Sequence, residues 1–188
     1  MTQPTDGQAN ESRSLFTYLV PDRQCGECVA CCRILKIDTP ELQKPAGVLC
    51  PHSTGKGCGI YDTRPGQCRT WFCLWRRIEA MPDALRPDRC GVVFSLGQRL
   101  PATEPFEQLF IAARAMNSWQ DFEHPAVVAA LDMFVRAGSL PVYRSFGGIK
   151  KIFFPRWEVA KFVIDGTQPP PDLAQEVARW RAQYPAAT

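Results

Sequence analysis

From Pro125 to Ala137 the chain sets Val127, Val128, Leu131, Phe134 and Val135 at helical spacing. Pro125 suits a first helical position and Gly138 a C-cap, so the pattern predicts a helix between them. Further on, "LPVYRSFGGIKKIFFP" predicts two strands around a Gly-Gly turn, with Pro155 closing the second. After "GTQPPPD", Leu173, Val177, Trp180 and Tyr184 mark one face of a terminal helix that ends before Pro185. "CGVVFSL" is β-branched and aromatic and reads as a strand, while "FEQLFIAARAM" fits a helix or a strand equally well.

The first half has a different texture. Residues 1–14 are polar with no apolar period, which predicts a disordered arm. "PHSTGKGCGIYDTRPGQC" holds four Gly and two Pro in 18 residues and cannot bury enough apolar surface to offset its ordering entropy. "MPDALRPDRC", residues 81–90, reads as a Pro-rich connection. The expected fold is therefore α+β. A loop-rich cysteine module at 15–80 packs on an α+β part at 81–188, a small antiparallel sheet with two or more helices, the whole forming one compact unit.

Composition narrows the class. At 188 residues and 45% hydrophobic, the chain is long enough for one ordinary core with a metal-stapled module attached. Its apolar runs end well before the roughly 18 residues a membrane span needs, and its start is polar where a signal peptide would be basic and then apolar. The expectation is a cytoplasmic protein with no membrane partner.

Nine cysteines are many for a reducing compartment and point to metal or redox chemistry more than to disulfides. Cys25, Cys28, Cys31, Cys32, Cys50, Cys58, Cys68 and Cys73 fall within 49 residues, and Cys90 stands apart. The odd number and the absence of an export signal weigh against a disulfide-stapled domain; a metal-free thiol cluster is the other alternative. In "CGECVACC", Cys25, Cys28 and Cys31 reproduce the C-x₂-C-x₂-C run that supplies three ligands to one iron-sulfur cluster, with a distant cysteine as the fourth. Were the stretch helical, Cys25, Cys28 and Cys32 would share a face and Cys31 would leave it, so adjacent Cys31 and Cys32 can serve two centres. A zinc ribbon shows C-x₂-C twice, and here the second knuckle is missing. The preference is an iron-sulfur cluster ahead of zinc. Metal ligands are thiolates, so two such sites would take the formal net charge from +3 to about −1, and no strong basicity follows.

"CGECVACC", "LCPH" and "GCGIYDTRPGQCR", in that order, resemble the CxxCxxCC family, the YkgJ-like cysteine-cluster proteins described as zinc- or iron-chelating. The resemblance covers residues 25–73. It implies metal ligation by Cys25, Cys28, Cys31, Cys32, Cys50, Cys58 and Cys68, with Cys73 just beyond the last element. That family is in turn similar to the cysteine-rich part of flagellin lysine N-methylases, which implies a protein-modifying enzyme as the alternative to a redox or electron-transfer protein and to a purely structural zinc protein. The chain has no glycine-rich nucleotide loop after a strand. A radical-SAM spacing would need a cysteine at Leu35.

His52 is a candidate nitrogen ligand but fits a solvent-facing turn better, and His124 belongs at a helix start. Arg64, Arg69, Arg76, Arg77, Arg86, Arg89 and Arg99 make residues 64–99 basic. Nucleic acid is disfavoured as their partner, because anionic thiolate centres themselves favour cations nearby. Trp71, Phe72 and Trp75 fit an apolar wall that keeps water off a metal, with Tyr61, Arg64 and Arg69 as supports. An electron-transfer role would require a protein partner, which the sequence does not identify.

Overall fold

The structure, a computed structural model, describes residues 18–185. The expected arm at 1–14 lies outside the described residues. The described residues divide into two compact units, 18–93 and 94–185.

In the first unit, α1 (Ala30–Ile34) is followed by a hairpin of β1 (Ile37–Thr39) and β2 (Leu42–Lys44), which pair antiparallel from Ile37 opposite Lys44 to Thr39 opposite Leu42. Thr39 Oγ1 accepts from Leu42 N at 3.2 Å and fixes the turn. Then come a 3₁₀ turn (Tyr61–Thr63), α2 (Gly66–Thr70), 3₁₀ turns at Leu74–Arg76 and Asp83–Leu85, and α3 (Pro87–Cys90). So little regular structure follows from the Gly and Pro content of 51–68. Side chains supply the missing ties. The Arg23 guanidinium donates to the carbonyls of Trp75, Ile78, Glu79 and Met81 and lies over the Trp75 ring, 5.2 Å from its centroid. It fastens the start of the cysteine run to residues 75–81. Residues 81–90, read above as a connection, thus fold within this unit as two short helical turns.

The second unit is ordinary α+β. A four-stranded sheet has the order β3 (Val92–Gly97), β4 (Phe110–Ala115), β5 (Val142–Phe146), β6 (Ile149–Phe154), its first strand starting at the boundary between the units. The ambiguous segment is strand β4. The expected antiparallel sheet is mixed: β4 and β5 run parallel, Ile111 opposite Val142, because helix α4 (Pro125–Ala137) intervenes and returns the chain in the same direction. β5 and β6 form the expected hairpin, with Gly147 and Gly148 at φ 57° and 82°, a pair of left-handed positions that suits two glycines.

α4 starts at Pro125, with His124 Nδ1 accepting from Ala126 N at 3.2 Å, and ends at left-handed Gly138. Its Val127, Leu131 and Phe134 are buried, whereas Val128 is exposed. α5 (Trp157–Asp165) and α6 (Ala174–Gln183) complete the unit. Val159, Ala160 and Val163 of α5 and Val177 and Trp180 of α6 pack with Phe106, Phe110, Ala112 and Tyr143 in one core, where the Trp180 ring meets Phe106 at 5.7 Å and Phe154 at 5.4 Å. Among the described residues no helix is long and apolar enough to cross a membrane.

Candidate metal centre

Local backbone geometry carries each thiol to its place. Cys28 N donates to Cys25 O at 2.9 Å, closing a tight turn that requires the left-handed φ of 53° at Gly26. Cys31 and Cys32 are consecutive in α1, so they leave the helix roughly 100° apart. Cys50 is drawn in by a hydrogen bond from its N to Cys32 O, 2.9 Å. A lone bridge between Ser53 and Cys58 folds the Gly-rich loop back on itself. Cys68 lies on α2, and Cys73 stands just before the 3₁₀ turn whose Arg76 N donates to Cys73 O at 3.0 Å.

The outcome is one cavity of about 120 Å³ with all eight clustered cysteines on its wall. His52, Trp71 and Phe72 line it too, as do Tyr61 and Arg64, whose guanidinium lies 3.7 Å from the centroid of the Tyr61 ring. Trp75 is buried beneath Arg23 instead, and Arg69 is exposed. Cys90 is buried apart from the cavity, its thiol donating to Val92 O at 3.3 Å. No disulfide joins any of the nine cysteines.

Burial pushes the Cys73 thiol up to about 11 and raises Cys25, Cys28 and Cys68 as well. Arg76 and Arg64 oppose the rise at Cys25. Cys31 donates to Cys32; this bond raises Cys31 and lowers Cys32, which Lys44 lowers further. Lys44 is a buried cation, 3% exposed, whose Nζ donates to the carbonyls of Arg33, Pro45 and Val48 at 3.2, 2.9 and 2.7 Å. Cys50, Cys32, Cys31 and Cys68 are the thiols whose charge it would feel. Arg76 also lines the cavity, and among the described residues its Nε and Nη1 are buried without a hydrogen-bond partner. Asp88 accepts from Cys28 and is paired with Arg86 at 2.6 Å.

Among the described residues no three His, Cys, Asp or Glu side chains are grouped tightly enough to hold one metal ion. The sulfurs surround a space instead. That space fits an anionic sulfur-ligated group: eight soft donors face it, aromatic rings keep part of its wall apolar, and Arg76 brings N–H donors with nothing to bind. The sequence marked all eight thiols. It did not mark Lys44 or Arg23, and it treated Arg76 only as one of a basic run. A lysine in a three-residue strand and an arginine near the chain start carry no local signal of burial.

No family model, no curated protein and no solved structure matches the chain.

Proposed function

We propose that the protein binds an inorganic centre through cysteine thiolates, with an iron-sulfur cluster ahead of zinc, and that the centre holds residues 25–73 in shape. The observation that carries this reading is the meeting of all eight clustered cysteines on one cavity wall, although they come from a turn, two short helices and two loops. Packing alone gives no reason for such a meeting, since a thiol buries as a small hydrophobe in any apolar surroundings. Thiolate ligation does.

The cavity, about 120 Å³ against the roughly 10–15 Å³ that one water needs, favours a cluster over a single ion. Cys25, Cys28, Cys31, Cys32, Cys50, Cys58, Cys68 and Cys73 are the residues that would hold it. A bound cluster would supply one-electron redox chemistry, and bound zinc a structural clamp. The chain's own part is to supply the sulfurs, to set Arg76 and Lys44 against their negative charge, and to keep water off with Trp71 and Phe72. The reading carries with it a reducing, cytoplasmic setting and, for electron transfer, a protein partner.

Anaerobic purification followed by metal and acid-labile sulfide analysis and an absorption spectrum tests it. The expected result is iron with sulfide and a visible absorbance that bleaches with dithionite. Stoichiometric zinc in a colourless protein would replace the cluster by a structural clamp. A folded, metal-free chain would overturn the reading.

A further inference from the structure

We propose that Arg144 and Lys151 form an anion site in the second unit, on the sheet face where Trp119, Phe122 and Phe153 lie beside them, and that its ligand is a small molecule carrying a phosphate monoester. The site shares no residue with the cysteine cavity and does not depend on the metal-binding reading.

The register of the β5–β6 hairpin sets the two cations side by side. Arg144 and Lys151 are directly opposite partners, so their side chains leave the same face of the sheet. Like charges in that position destabilise a strand pair. Other cations of the unit have a carboxylate to answer them: Glu107 pairs with Lys150 and Arg99, Asp132 with Arg136, and Glu176 with Arg156. Among the described residues no carboxylate pairs with Arg144 or Lys151. The neighbouring 3₁₀ turn (Trp119–Glu123) carries two acids, and neither serves. Asp121 accepts from the backbone of Met116 and Asn117 at 3.0 and 2.8 Å, and Glu123 is exposed.

Aromatic rings hold the pair in place without neutralising it. The Arg144 guanidinium lies 4.4 Å from the centroid of the Phe153 ring and 5.4 Å from that of Phe122. Lys151 Nζ lies 5.1 Å from the centroid of Trp119, whose ring meets Phe122 at 5.6 Å. A ring attracts a cation but is only a weak acceptor for an N–H. Arg144 Nε is accordingly buried without a hydrogen-bond partner among the described residues. The side chain as a whole is half-buried and Lys151 is exposed, so the pair remains open to solvent. As architecture this arrangement costs stability. For an oxyanion it supplies fixed charge beside apolar rings, where charge-assisted hydrogen bonds are strong.

Two adjacent positive charges match the two negative charges of a phosphate monoester and exceed what a carboxylate or a phosphodiester offers. The guanidinium donates through a planar fork, and the ammonium adds a point charge. The turn that brings Trp119 and Phe122 follows the carboxyl end of β4, the side of a parallel strand pair where open sheets take their ligands.

The test is calorimetric titration of the full chain with inorganic phosphate at mildly alkaline pH, where phosphate is a dianion, and with dimethyl phosphate as the singly charged probe. The expected result is saturable binding of one phosphate per chain, with dimethyl phosphate weaker. Lys151→Gln should weaken phosphate binding by about 10-fold or more, the effect of losing one charge-assisted hydrogen bond, and Arg144→Met should do at least as much. Lys161→Gln, which removes an exposed charge from α5, should leave binding unchanged. No saturable binding, undiminished binding in Lys151→Gln, an equal loss in Lys161→Gln, or dimethyl phosphate bound as tightly as phosphate overturns the proposal. Should Arg144→Met fail to fold, Lys151→Gln and the two probes decide without it.

Discussion

In residues 94–185 an aromatic lattice around Trp180 does the packing, whereas in residues 18–93 a cavity is walled with thiols. The second unit joins eleven buried residues in one core, from Phe106 to Tyr184; the first joins Ile37, Leu42 and Cys50, with Cys32 and Cys68 against them. Apolar burial at about 25 cal/mol per Å² holds the second without help. The first buries Leu74, Trp75, Met81, Leu85, Val92 and Val93 as well, but in its Gly-rich loop, residues 51–68, Pro65 alone is buried, and ordering that loop costs entropy. On the metal-binding reading proposed above, the units differ in their source of cohesion: hydrophobic transfer throughout the second, and coordination added to it around the cysteines of the first. Changes that strike one source and spare the other therefore expose the difference.

Trp180→Ala should have the largest effect of the three substitutions. It opens a cavity among Phe106, Phe154 and Tyr184 and should cost about 3–5 kcal/mol of the second unit's stability, read by denaturant unfolding. Trp180→Phe should cost less, because the indole Nε1 has no hydrogen-bond partner to lose. Equal losses from both would mean that the lattice is not what holds the unit.

Lys44→Met strikes the other source. It removes the buried cation beside Cys50, Cys32 and Cys68 and leaves three carbonyls without a donor. Metal affinity should fall by about 10–100-fold in a competition titration with a chelator, while the denaturation of residues 94–188 stays put. Unchanged affinity would show that the charge is irrelevant to the thiols.

A smaller effect belongs to Glu107, buried in the second unit. Burial alone would raise its carboxyl, but hydrogen bonds from Lys150 and Thr103 and the charges of Lys150 and Arg99 hold it down to about 2. A carboxylate whose folded pKa lies below its unfolded value near 4.5 contributes stability above that value and loses it as pH falls toward 2. Solvent at the partly exposed Lys150 and Arg99 limits the contribution to about 1–2 kcal/mol. Glu107→Gln should flatten the acid limb of the stability curve over that window. An unchanged limb would refute the ion pairs' role.

Periodicity made the second unit legible. The helix at 125–137, the Gly147–Gly148 hairpin and the Leu173, Val177, Trp180, Tyr184 face all stand where the pattern put them. β4 was ambiguous because it is buried along almost its whole length, which erases the alternation that marks a half-exposed strand. α5 escaped notice: Pro155 read as a strand terminator, and only Val159, Ala160 and Val163 of its nine residues are buried. β1 and β2, three residues each, are too short to show a period. At the site the thiols were legible because their spacing is local chemistry. Arg23 and Lys44 were not, because what makes them matter is the carbonyl groups that the fold brings to them.

Hydrogen exchange of residues 25–75, measured before and after removal of bound metal by a strong chelator, tests the central claim most directly. The account predicts that these amides lose protection on chelation while those of 94–188 keep theirs, and that Cys28→Ser does the same without chelator. Protection of 25–75 that persists in a metal-free chain would contradict it.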